Sequence, residues 1–125
     1  FERRAAGFWL SLALALASLR WLMMALFPDV LPLVLLAQTL HAASFGMYHA
    51  SAIHLIDEFF PRHRGRGQAL YAAVSFGAGG AVGSLYAGTL WDTVSPMTTF
   101  LAASLAALLG LLASLKIREP AAAGR

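Results

Sequence analysis

Charged residues fall in short clusters along this chain, separated by four long uncharged runs: Phe8 to Leu19, Val30 to Ile56, Gln68 to Trp91 and Thr93 to Leu115. The runs lack the single polar face of a helix at a water-exposed surface. An apolar run of about 18 residues or more can cross a hydrocarbon core of roughly 30 Å as a helix. Breakers separate the runs. Phe27-Pro28-Asp29 ends the first, because the residue before a proline is pushed out of the helical region. Pro61 closes the second, and the segment PRHRGRG, residues 61 to 67, combines turn formers with charge. Asp92-Thr93-Val94-Ser95-Pro96 makes the third break, with Ser95 placed as an N-cap and Pro96 at the first helical position. The pattern predicts an all-α integral membrane chain of four transmembrane helices, at about 7–27, 31–60, 68–91 and 97–117, with a disordered tail at 118–125. The second helix is longer than a bilayer requires, so tilt or an extension beyond it is expected.

Composition strengthens this picture. Of 125 residues, 59% are hydrophobic and 12% are Asp, Glu, Lys or Arg. That is about half the charge a soluble domain needs to cover itself. The absence of cysteine excludes disulfides and thiol-based metal or redox sites. Glu2-Arg3-Arg4 leads into apolar sequence without the short core and cleavage site of a secretory signal, so the first run is expected to span. A start at Phe1 is expected for a piece of a longer chain. No nucleophile–base pair, phosphate loop or metal-ligand spacing stands out, so neither an enzyme activity nor a cofactor or metal is expected.

Charge sets direction. Four spans place both ends and the middle loop on one side, with Arg3, Arg4, Arg62, Arg64, Arg66, Lys116, Arg118 and Arg125. The other two loops carry Asp29 and Asp92 and no Lys or Arg. By the positive-inside rule both termini and the PRHRGRG loop are cytoplasmic. Those arginines serve topology before any nucleic-acid partner, and none is expected. The ninth basic residue, Arg20, lies within the first span.

The third run holds Gly77, Gly79, Gly80, Gly83 and Gly88, with Ser75 and Ser84. Gly79 with Gly83, and Ser84 with Gly88, form small-xxx-small pairs that let another helix approach closely. Static packing and a sliding contact both fit such pairs.

The second run is chemically richest. In QTLHAASFGMYHASAIH, residues 38 to 54, three histidines and a glutamine sit in an apolar helix with no acid among them. At about 100° per residue, with His41 as the origin, Gln38 lies at about 60°, Ser44 at −60°, Phe45 at 40°, Tyr48 at −20° and His49 at 80°. They share one stripe. His54, at about 220°, lies on the other side beside Asp57 and Glu58, where local pairing is expected. Arg20 stands about 12 Å before Pro28 and His41 about 16 Å after the turn, so a hairpin brings them within about one helical turn in height. Facing lipid, a fixed charge at that depth costs several kcal/mol, so protein interior or a water-filled cavity is expected around it. Snorkelling to the headgroups is the alternative for Arg20, and an interhelical hydrogen bond the alternative for each histidine.

The hairpin SLRWLMMALFPDVLPLVLLAQTLHAASFGMYH resembles the ninth and tenth helices of a major facilitator superfamily transporter. It is most similar to the branch with 3-phenylpropionate transporter-like and lactose-permease-like proton symporters. ALYAAVSFGAGGAVGSLYAGTLWD is similar to that branch's eleventh helix, and SPMTTFLAASLAALLGLLASLKI to its twelfth. The resemblance implies the C-terminal third of a twelve-helix transporter, its other helices elsewhere in the chain, working by alternating access around a midplane cavity. In lactose-permease-like symporters an arginine, then a lysine, histidine and glutamate spaced by three, handle proton coupling. Arg20 matches the arginine and His41 the histidine, whereas Gln38 stands at the lysine and Ser44 at the glutamate. No Asp or Glu lies within the four uncharged runs, so a proton carrier in this segment would be His41 or His49.

Two functions are open at this point. The first is secondary, proton-coupled transport of an aromatic acid, sugar or nucleoside across a bacterial inner membrane. Arg20, Gln38, His41, Ser44, Phe45, Tyr48 and His49 would line the solute and proton path, and Gly79, Gly83, Ser84 and Gly88 would pack helices. The second is a self-contained four-helix membrane protein with a structural or oligomeric role. Its expected partners are the bilayer and further copies of itself.

Overall fold

The structure, a computed structural model, describes residues 3–117. Four helices follow one another: α1 (Arg3–Leu26), α2 (Leu31–Phe59), α3 (Arg64–Thr93) and α4 (Pro96–Ser114). Each is long and apolar enough to cross a membrane, and the described residues contain no strand. The chain has an all-α, multi-pass membrane fold. The tail at 118–125 lies outside the described residues.

Local chemistry sets the helix ends. Ser95 is extended, and its Oγ accepts from the backbone N–H of Thr98 at 3.1 Å, satisfying one of the free donors that open α4. Pro96 and Pro32 occupy first turns, where a missing N–H costs little. α3 starts at Arg64, ahead of the expected position near Gln68, so much of the basic segment is helical. Gly67 permits this: a Cβ there would meet Ile56 Cγ2 at 2.8 Å and the Phe60 ring at 3.0 Å. Gln68 then ties the helices together, its Nε2 donating to Asp57 Oδ1 at 2.8 Å. α4 ends at Ser114, because Leu115 and Lys116 form a turn.

What is buried inverts the arrangement of a soluble protein. Buried apolar residues are mostly alanines, Ala6, Ala13, Ala25, Ala37 and Ala52, with Leu10 and Leu55. Leucines such as Leu35, Leu85, Leu105, Leu109 and Leu112 point outward. In hydrocarbon, outward leucines match the solvent, while small inward residues let helix backbones approach closely.

α1 is central, packing along its length against α2 and α4. It has two small-residue seams, each with a seven-residue step. Ala6, Ala13 and Arg20 are all buried and seven apart, and on α2 so are Ala37, Ser44 and Ser51. A seven-residue repeat keeps one stripe facing its partner along the whole contact. Arg20 thus occupies a position where the seam otherwise carries alanine. The second seam carries Ser11 and Ser18 toward α4. Ser11 Oγ lies 2.9 Å from Ser114 Oγ. Ser18 Oγ donates to the Ser104 carbonyl at 3.0 Å, and Ser104 Oγ to the Ser18 carbonyl at 2.8 Å.

α3 is held differently. Its first turns meet α2 and its last part meets α4, while the backbone of the stretch between lies farther from the other helices and only side chains such as Phe76 reach across. That stretch, Ala73–Ala78, is a wide π-turn. No other helix comes within 4 Å of a Cβ built on Gly79, Gly83 or Gly88, and Ser84 is exposed. A packing partner for this stripe is not among the four described helices.

The serine seam yields a stability prediction. Ser18→Ala and Ser104→Ala should each cost about 1 kcal/mol in bicelle unfolding, and the double variant less than their sum. Strict additivity would mean that the two hydroxyls do not act on one another.

Candidate functional site

Arg20 is 6% exposed, and its Nε has no hydrogen-bond partner among the described residues. Its guanidinium carbon lies 3.8 Å from the centroid of the neighbouring Trp21 ring. Trp21 in turn stacks on Phe100 of α4, with centroids 5.7 Å apart and planes 23° apart. Phe100 meets Trp91 of α3 edge-on at 5.8 Å. A three-helix aromatic cluster therefore anchors the cationic head, and the head is not extended out of the protein. A guanidinium over an indole face is attracted by the ring's quadrupole, by about 2 kcal/mol when desolvated. That attraction does not replace a counter-charge.

The pocket beside Arg20 has a volume of about 170 Å³ and is lined by Ala13, Leu14, Ala17, Arg20, His41, Ser44, Phe45 and Tyr48. The antiparallel hairpin thus brings Arg20 and His41 to one cavity, as their depths along the two helices require. Alanine at 13 and 17 makes the room. The Ser44 hydroxyl donates to the His41 carbonyl at 3.2 Å, so it is engaged within its own helix. No acidic residue lines this pocket.

His41, Phe45 and His49 form a ladder along α2, with centroids 6.0 Å and 6.2 Å apart in turn. His49 is outside the Arg20 pocket. It faces α3, where its Nδ1 lies 3.3 Å from Tyr71 Oη and its ring 6.1 Å from that of Phe76. Gln38, one turn before His41, is exposed and also outside the pocket lining. His54 lies at the far end, with Nε2 3.6 Å from Glu58 Oε1, the local pairing expected of its wheel position. A second, apolar cavity of about 470 Å³ shares Leu14 and Tyr48 with the first. Leu10, Leu55, Ile56, Phe59 and Phe60 contribute to its walls. Among the described residues, no three His, Cys, Asp or Glu side chains gather as metal ligands would.

Of the sequence candidates, the structure gathers Arg20, His41, Ser44, Phe45 and Tyr48, and sets Gln38 and His49 apart from the pocket. Sequence reasoning missed Trp21, Tyr71 and Phe76. Trp21 was findable as an aromatic next to a lone buried cation. Tyr71 and Phe76 were not, because the wide turn that aligns them leaves no periodic trace.

A buried guanidinium with no acidic partner among the described residues carries a stability prediction. Arg20→Met keeps the packed stem and removes the charge, so unfolding in bicelles should show stability unchanged or raised, by up to about 4 kcal/mol. A loss of about 3 kcal/mol or more would reveal a structural partner for Arg20.

The geometry describes a helical hairpin with a buried cation and a histidine around a small cavity, in a chain built to face lipid. Comparison with known proteins agrees with that description. No curated protein and no solved structure matches the chain. The model of the MFS_1 like family matches residues 2–102. The chain is thus a transporter-type membrane segment, and it belongs to the MFS_1 like family.

Proposed function

We infer that this chain forms part of a secondary transporter that carries a small organic solute across a bacterial inner membrane, with proton movement coupled through His41. Arg20 carries this reading. It is a permanent charge, buried and without an acidic partner among the described residues, and it opens on a cavity that also holds His41 and Tyr48. A solute's polar end supplies the missing partner, with Gln38 available one turn away on α2. His41 is the side chain in that cavity able to take up and release a proton. The adjoining apolar cavity favours an aromatic acid over a sugar or nucleoside, since hydroxyls placed there would lose their hydrogen bonds. The basic segment and both ends of the chain face the cytoplasm, by the excess of arginine on that side.

The test uses the protein expressed from its complete reading frame and a panel of labelled aromatic acids, sugars and nucleosides. His41→Ala should insert normally and lose accumulation against a gradient. Arg20→Lys should lower uptake by about tenfold or more, because an ammonium cannot replace a bidentate guanidinium. Normal uphill uptake by both variants would remove these residues from the mechanism. It would also return the chain to the structural, oligomeric alternative.

A further inference from the structure

His49 is held from two helices at once. On α2 its ring lies parallel to Phe45, with planes 2° apart. From α3 come Tyr71, with Oη at 3.3 Å, and Phe76, with its ring at 6.1 Å. Tyr71 and Phe76 also meet edge-on, 5.9 Å apart. They are five residues apart in sequence. On a regular α-helix that step turns them about 140° away from each other, too far for both to reach one ring. α3 is not regular here. Through Ala73–Ala78 the turn widens, and the N–H of Gly79 donates to the carbonyl of Val74, five residues back. A wide turn rotates less per residue than a regular one, so the same five-residue step closes below about 140°. The first turns of α3 are fixed on α2 by Gly67 and Gln68. The wide turn therefore rotates Phe76 back over His49 while Tyr71 stays in place.

The pair can be joined in either direction, and each direction selects a different tautomer. A phenol O–H is a strong donor, and a neutral imidazole has one acceptor nitrogen. When Tyr71 donates to Nδ1, the ring proton of neutral His49 sits on Nε2. Among the described residues Tyr71 is the hydrogen-bonding partner of His49, and Phe45 and Phe76 offer only ring faces. Tyr71 also lines the larger cavity together with Tyr48, and Tyr48 walls the Arg20 pocket.

We propose that Tyr71 is a positioning residue of the transport site, fixing neutral His49 as the Nε2–H tautomer so that Nε2 presents a hydrogen-bond donor. What Nε2–H donates to rests on the transport reading above. How the ring is held rests on the geometry alone.

Nitrogen-15 NMR of histidine-labelled protein in lipid nanodiscs separates the two. At about pH 8 wild-type His49 should show a single Nε2–H tautomer. Tyr71→Phe should show a mixture of both tautomers, with the His41 signals unchanged as a control for folding. An identical tautomer ratio in the two proteins overturns the proposal. Deletion of Gly77 tests the wide turn. The ring contact between His49 and Phe76 should disappear from NOE spectra while the contact with Tyr71 remains. Persistence of both contacts would show that the turn does not set their register. No solute enters either measurement, so failure of the transport reading and failure of this proposal give different results.

Discussion

An arginine with no counter-charge among the described residues, inside a membrane hairpin, constrains everything around it. Facing lipid, such a charge costs several kcal/mol, and it cannot escape the cost by losing its proton. The surroundings of Arg20 lower that cost by three means. Ala13 and Ala17 open space on its own helix, Trp21 offers a ring face, and α2 brings His41 and Tyr48 opposite. None of these is an anion. The hairpin therefore keeps a standing electrostatic demand, which is the physical basis for the proposal that a solute occupies the cavity.

That demand is tolerable because α1 is well secured on both sides. Toward α2 it presents Ala6, Ala13 and Arg20 on one seam, and toward α4 it presents Ser11 and Ser18 on another. Close approach through small residues replaces the large apolar core that water would demand and a bilayer does not. α3 is secured at its two ends, with a wide turn between them. The most extensively packed helix thus carries the fixed charge. The least secured helix carries Tyr71 and Phe76, which reach His49 on the neighbouring hairpin.

Much of the fold was legible because uncharged length, prolines and a serine cap are local signals. The runs around Pro28, Pro61 and Pro96 mark the same four helices that the structure contains. The stripe on α2 was legible too, since a regular helix obeys a fixed rotation per residue and His41, Ser44 and Tyr48 fall together. Other features were hidden for identifiable reasons. The basic segment reads as loop, yet Gly67 lets it continue as helix against Phe60. Ser18 and Ser104 are 86 residues apart, and nothing local pairs them. His49 shares the stripe's angle with His41, but its neighbour on α3 depends on a wide turn that composition does not encode. The glycines of α3 announce close packing without naming a partner, and no described helix supplies one.

The most direct test of the account asks whether water reaches the Arg20 cavity. The chain has no native cysteine, so single cysteines can be read cleanly with a membrane-impermeant thiol reagent. His41→Cys and Tyr48→Cys should react within about tenfold of Arg64→Cys in the basic segment, whereas Leu36→Cys and Leu112→Cys, on outward-facing leucines, should not react. Protection of positions 41 and 48 to the level of the outward leucines would contradict the account. Arg20 would then be sealed inside protein, and its cavity closed to any solute arriving from water.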